Sequence, residues 1–207
     1  MTASAPRVLI AEDEALIRLD LAEMLDEAGY EVIAQAGDGE EAVARAREHR
    51  PDLVIMDVKM PRLDGIAAAS QIAAERIAPV VMLTAFSQRD LVERARDAGA
   101  MAYLVKPFTI SDLVPAIEMA VSRFAEIAAL EQEVSDLTER LAARKVIERA
   151  KSALQEALGL TEHEAFGWIQ RTAMDLRTTM RQVAERVIAE GVDQSGVDYS
   201  DGDQPPR

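Results

Sequence analysis

Several polar groups directly follow short apolar runs: Glu12-Asp13 after Val8-Leu9-Ile10-Ala11, Asp57 after Leu53-Val54-Ile55-Met56, Thr84 after Val80-Val81-Met82-Leu83, and Lys106-Pro107 after Ala102-Tyr103-Leu104-Val105. Three carboxylates held close together repel one another unless a cation sits among them. Mg²⁺ suits such a set, because it takes oxygen ligands, keeps several waters and bridges carboxylates to phosphoryl groups. A carboxylate nucleophile beside Mg²⁺, with an ammonium to neutralise the transferring oxygens, is equipped to accept a phosphoryl group as an acyl phosphate. On this reading Asp57 is the phosphoacceptor, and Asp13, Asp57 and the backbone carbonyl of Lys59 hold the metal. Glu12 reaches it through water, and Lys106 supplies the counter-charge.

The elements that must position these residues are legible as a βα repeat. Five apolar runs begin near Val8, Val32, Leu53, Pro79 and Ala102, and between them lie stretches with apolar residues at three- and four-residue intervals: 15–28, 40–49, 66–76 and 90–98. Strands that are apolar throughout are expected where helices cover both faces of a sheet, so the fold class is α/β, with a five-stranded, doubly wound parallel sheet. Ligands of such sheets collect at the carboxyl ends of the strands, where the polar residues fall. Gly29, Gly37 and Gly99 are expected in turns or at helix ends that need a positive φ.

Composition removes most other chemistry. The 207 residues contain no cysteine, which excludes disulfides, thiol catalysis and zinc-thiolate sites. Only His49 and His163 remain for imidazole chemistry. No run of about twenty apolar residues is present and the first residues lack the apolar stretch of a signal peptide, so a cytoplasmic protein is expected. The net charge of −14 argues against nucleic acid until it is mapped along the chain. Residues 140–186 carry nine basic and six acidic side chains, an internal block of opposite sign to its surroundings.

After Phe108 the pattern is helical only. Ser111 is expected to cap a helix with Pro115 in its first turn. Ile127, Leu130, Val134, Leu137 and Leu141 follow at 3-4-3-4 spacing, the seam of a coiled coil. Three more helical stretches follow at 146–158, 162–173 and 180–189. Ile147, Ala150, Leu154 and Leu158 are expected to pack on Ala165, Phe166, Ile169, Ala173, Val183, Ala184 and Val187 as a small three-helix core, with Trp168 in the core or at its rim. The close of the chain is glycine-rich and acidic, a composition that does not sustain a core. The expected organisation is a disordered N-terminus (1–6), the α/β domain (7–124), a coiled-coil helix (125–143), a three-helix domain (144–190) and a disordered tail (191–207).

Glu12-Asp13, Asp57, Met60-Pro61-x-x-Asp64-Gly65, Thr84-Ala85 and Lys106-Pro107-Phe108, in this order at successive strand ends, resemble the receiver domain of two-component response regulators. The resemblance implies that a sensor histidine kinase donates a phosphoryl group to Asp57, that Thr84 turns towards the phosphate and Tyr103 swings inward, and that Lys106-Pro107 is a cis peptide. Lys59 and Phe86 should border the phosphate, with apolar Phe86 hindering hydrolytic water. Glu12 stands where the family often has Asp.

Arg144-x-x-Ile147-x-x-Ala150-Lys151, Glu164-Ala165-Phe166, Ile169-x-Arg171-x-Ala173 and Val183-Ala184 resemble the ANTAR domain, an RNA-binding antitermination module, although Ser152 replaces a common glycine. Arg144, Lys145, Arg149, Lys151 and Arg171 are then the candidate RNA-binding residues. The whole chain resembles the actinobacterial phosphorylation-dependent antitermination regulators. Such a protein is expected to use Mg²⁺, to dimerise when phosphorylated, and to have a sensor kinase, RNA stem-loops and RNA polymerase as partners. It is not expected to be an enzyme beyond slow self-dephosphorylation. The alternatives are a DNA-binding or a protein-docking output domain.

Overall fold

Five parallel strands, β1 (Arg7–Ala11), β2 (Glu31–Ala36), β3 (Leu53–Asp57), β4 (Val80–Thr84) and β5 (Ala102–Val105), form one sheet in the order β2-β1-β3-β4-β5. The connecting helices are α1 (Ala15–Glu27), α2 (Gly39–His49), α3 (Gly65–Ala74) and α4 (Arg89–Asp97), and α5 (Ile110–Leu158) follows the last strand. The computed structural model describes residues 5–85 and 89–191 and divides into two compact units between Leu130 and Glu131. Phe86 and nearly all of both termini expected to be disordered lie outside the described residues. No helix among those described is long and apolar enough to cross a membrane.

Alternation along the strands divides the core of the first unit. Leu9, Val54, Met56, Val80 and Met82 face α2 and α3 through Ala42, Val43, Ala46, Ala68, Ala69 and Ile72. Val8, Ile10, Leu53, Ile55, Val81 and Leu83 face the other side, where Leu21 and Leu25 of α1 and Leu113, Ile117 and Ala120 of α5 cover them. Each fully buried Leu or Ile contributes about 1.5–3 kcal/mol, so β1, β3 and β4 form the rigid centre of the sheet. Their carboxyl ends carry Glu12, Asp57 and Thr84.

The loops behind Asp57 are fixed by capping and by close backbone approach. Asp38, almost wholly buried, caps α2 by accepting from the Glu41 amide at 2.9 Å, and it ion-pairs with Arg62 from the β3–α3 loop. Asp64 caps α3 through the Ala67 amide at 2.7 Å, and the Gly65 amide donates to the Val58 carbonyl at 3.0 Å. A Cβ on Gly65 would lie 1.9 Å from the Asp57 carbonyl oxygen, and one on Gly39 would lie 2.3 Å from that of Leu63. Both positions therefore exclude a side chain.

In the second unit, α6 (Glu162–Asp175) and α7 (Met180–Glu190) pack on the last turns of α5. Ala150, Leu154, Ala165, Ile169, Ala173, Val183, Ala184 and Val187 form its core, with Ile147, Leu158 and Trp168 partly buried beside them. Thr161 and Thr179 each close a capping box, with Glu164 and Gln182.

Four expectations change. Helix α5 starts at Ile110, and Thr109 rather than Ser111 closes its first turn, its amide and hydroxyl donating to Asp112 at 2.9 and 2.7 Å. Pro115 consequently falls in the second turn, where it withholds one helical hydrogen bond. Segments 125–143 and 146–158 belong to this same continuous helix. Gly29 and Gly99 have positive φ but Gly37 does not, and the left-handed region instead holds Arg50, Arg62, Arg76 and Arg177. Phe166 stands exposed, because Ala165 takes the core-facing position next to it.

Gly65→Ala is expected to destabilise the first unit by about 3 kcal/mol, since rigid backbone opposes the methyl group. Gly159→Ala, at φ +68° in open space, should cost only about 1 kcal/mol. Urea unfolding of the two variants followed by circular dichroism checks the ordering.

Candidate functional site

At the carboxyl edge of the sheet, the Lys106 Nζ lies 2.6 Å from Glu12 Oε2 and 2.6 Å from Asp57 Oδ1. One ammonium thus bridges the ends of β1 and β3 from the end of β5. The second Asp57 oxygen, Oδ2, accepts the Lys59 amide at 2.6 Å. The second Glu12 oxygen accepts the Glu14 amide at 3.3 Å, and the Glu12 carbonyl accepts from Arg18. Glu12, Asp57 and Thr84 are buried, while Asp13 is exposed. The Thr84 carbonyl accepts the Lys106 amide at 2.8 Å, and the peptide between Lys106 and Pro107 is cis.

Burial pushes the Glu12 carboxyl above its usual value, against the opposing pull of the Lys106 hydrogen bond. Burial also disfavours the Lys106 ammonium, but the hydrogen bonds it donates to Asp57 and Glu12 outweigh that and hold the lysine above its ordinary value. One ammonium thus offsets part of the charge of the two carboxylates. Among the described residues no three acidic or histidine side chains are grouped closely enough to hold a metal, so an ion here would draw on two carboxylates and a backbone carbonyl. Glu12 turns inward to the lysine, while Asp13, the next residue along, is exposed.

Asp13 lines a hollow of about 470 Å³ together with Lys59, Met60, Pro61, Asp64 and Arg94. Asp13 and Lys59 thus line one cavity, whereas Glu12 is not in its lining and has both oxygens engaged. Tyr103 is half-exposed on the edge strand, pointing outward. Arg94 and Arg18 were missed by sequence reasoning: helical periodicity marks faces that meet the core, and neither arginine lies on one.

In the helical unit Arg144, Lys145, Arg149 and Arg171 are exposed. Lys151 is not: it is buried, its ammonium 3.0 Å from Glu148 and 2.7 Å from Glu162, tying α5 to the first turn of α6. These bonds hold its pKa above the usual lysine value. The hydroxyl of Ser152 donates to the Glu148 carbonyl at 3.1 Å, within its own helix.

Comparison with known proteins agrees with both units. Residues 8–118 match the model of the response regulator receiver domain, and residues 135–188 match that of the ANTAR domain. The chain is a receiver–ANTAR response regulator. Over 182 residues it is 74% identical to the transcriptional regulatory protein PdtaR of Mycobacterium tuberculosis, covering 88% of this chain and 89% of that one. The chemotaxis protein CheY of Bacillus subtilis is 39% identical over 119 residues, 57% of this chain and 99% of its own. Among solved structures, the receiver domain of a modulated diguanylate cyclase from Desulfovibrio desulfuricans superposes with a TM-score of 0.55 at 34% identity, covering 58% of this chain and 97% of that chain.

For this response regulator, Lys106→Met leaves two buried carboxylates without their cation. The expected loss is about 1–3 kcal/mol at neutral pH, less than for a fully enclosed pair because the site opens to solvent. The sign follows from the raised Lys106 pKa: the stabilisation is fully present below the unfolded lysine value and is lost as pH rises through the higher folded one. The gap between wild type and Lys106→Met should also narrow at acid pH, where the carboxylates protonate. Urea midpoints measured across the pH range check both limits.

Proposed function

We propose that this regulator takes a phosphoryl group on Asp57 from a sensor histidine kinase and then binds paired RNA stem-loops through its helical unit, causing transcription antitermination. The observation that carries the proposal is the Asp57 carboxylate itself, buried at the end of β3 just before Val58 and Lys59, which line an open hollow, with one oxygen on Lys106 and the other on the Lys59 amide. A carboxylate oxygen attacks the phosphorus of a phosphohistidine, the P–N bond breaks, and the imidazole leaves as an acyl phosphate forms. Lys106 and the Lys59 amide stand where negative charge gathers on the transferred oxygens.

Asp57, Asp13 and the Lys59 carbonyl would hold Mg²⁺. Two carboxylates and a carbonyl, with waters completing the shell, match that ion better than one needing a closed set of side chains. When bound, the metal supplies charge neutralisation at the phosphoryl oxygens. The regulator is a phosphoacceptor with at most slow self-dephosphorylation, acting in the cytoplasm.

Phosphorylation shifts a population rather than building a new fold. Thr84 and outward-lying Tyr103 are the side chains that move in this reading. Ile127, Leu130, Val134, Leu137 and Leu141, all exposed along α5, are the seam on which a second copy pairs. Exposed Arg144, Lys145, Arg149 and Arg171 meet RNA phosphates, while loop bases provide discrimination. RNA polymerase is the downstream partner.

The test is anisotropy of a labelled two-stem-loop RNA, beside a DNA duplex of equal length, with Mg²⁺ and with or without beryllofluoride. RNA binding that tightens about tenfold with beryllofluoride, and does not tighten in Asp57→Asn, is expected. Absence of RNA binding in both states rejects the output assignment. Arg144→Gln and Arg149→Gln should each lower the salt slope of binding by about one without changing the unfolding midpoint. Lys151→Gln should instead lower that midpoint.

A further inference from the structure

A groove of about 830 Å³ lies between α6 and α7 in the helical unit. Trp168, Thr172 and Leu176 line it at four-residue intervals along α6, facing Gln182, Arg186 and Glu190 at the same interval along α7, with Arg177 in the turn between. Two parallel stripes of this kind make a trough rather than a flat surface. Trp168 is partly buried against the core, so its ring is held in place while it also lines the groove.

The charge at this groove is unbalanced. Arg177 and Arg186 are exposed, and among the described residues neither guanidinium has an ion-pair or hydrogen-bond partner. Glu185 is engaged by Arg181 at 2.8 Å, which leaves Glu190 as the one acidic side chain in the lining without a partner among the described residues. Arg177 is held at φ +50°, a conformation unfavourable for arginine, by amide bonds from the turn to the Met174 and Ala173 carbonyls. The Gln182 oxygen accepts from the Thr178 hydroxyl, so its amide group remains a donor towards the groove.

We infer that this groove is a nucleobase subsite, in which Trp168 stacks an unpaired base from an RNA loop, Gln182 donates to the loop nucleotides that follow along the groove, and Arg177 and Arg186 hold the flanking phosphates. The inference rests on the RNA-binding reading above and adds a place for the loop base that the basic residues of α5 do not provide. A fixed aromatic face beside unpaired cations is the combination by which single-stranded nucleic acid is held, and stacking tolerates any base. An acidic peptide would satisfy the arginines and the Gln182 donors but would leave the indole face without a stacking partner.

Trp168 is the only tryptophan in the chain, so its emission reports this groove alone. The full chain, with Mg²⁺ and beryllofluoride, is titrated with a synthetic RNA carrying two adjacent stem-loops, and RNA anisotropy and tryptophan emission are followed together. Emission should fall with the same midpoint as the anisotropy rises. Replacing the loop nucleotides by abasic ones should abolish the change in emission and weaken binding about tenfold. Arg177→Gln and Arg186→Gln, exposed and unpaired in the free protein, should each weaken binding about fivefold and lower the salt slope by about one. RNA binding with unchanged emission and unchanged affinity in both arginine variants overturns the groove and leaves the RNA-binding reading intact. No anisotropy change with any RNA overturns both.

Discussion

The Lys106 ammonium sits between two buried carboxylates that arrive from different strands, Glu12 from β1 and Asp57 from β3. Taking any one of these charges out of water alone is costly, and together they are tolerable only while the geometry holds. The apolar interleaving of β1, β3 and β4 is what maintains that geometry, because a strand that slipped by one residue would turn Glu12 or Asp57 to the other face. Packing and chemistry are thus one constraint. The sheet centre is apolar throughout so that a charged triplet can exist at its edge.

On the proposed function, the same arrangement leaves Asp57 poised rather than merely present. A nucleophile locked in a closed ion pair would be unreactive, yet its neighbours here are donors that a phosphoryl group can also use. In the proposed phosphorylation the lysine and the Lys59 amide would pass from holding a carboxylate to holding an acyl phosphate without being rebuilt, which is the meaning of preorganisation. Gly65 serves the same end from behind, allowing α3 to start directly over the Asp57 main chain.

Much of this was legible in the sequence. Apolar runs marked all five strands, and the residues following them named Asp57, Lys106, Thr84 and the Glu12-Asp13 pair. Direction was not legible: whether Glu12 or Asp13 turns inward depends on the pleat at a strand end, and composition does not record it. Contacts distant in sequence escaped for a similar reason. Lys151 read as one more exposed cation because Glu162, which holds it, belongs to the next helix. Phe166 and Ala165 are adjacent, and helical spacing alone does not choose which of them enters the core. Thr109, the residue that precedes α5, was overlooked because Ser111, two residues on, offered the same hydroxyl.

Arginine occupies four left-handed positions, 50, 62, 76 and 177, where glycine would be relaxed and arginine costs roughly 1–2 kcal/mol each. A chain of marginal stability does not ordinarily carry such a burden at random sites. At two of the four the guanidinium has an evident use, since Arg62 clasps the buried Asp38 and Arg177 borders the groove beside Trp168. At position 50 the side chain also acts, its charge adding to the Arg47 hydrogen bond that holds the Glu75 carboxyl below its usual value, so glycine at these turns would relax the backbone only by giving up what a cation does there.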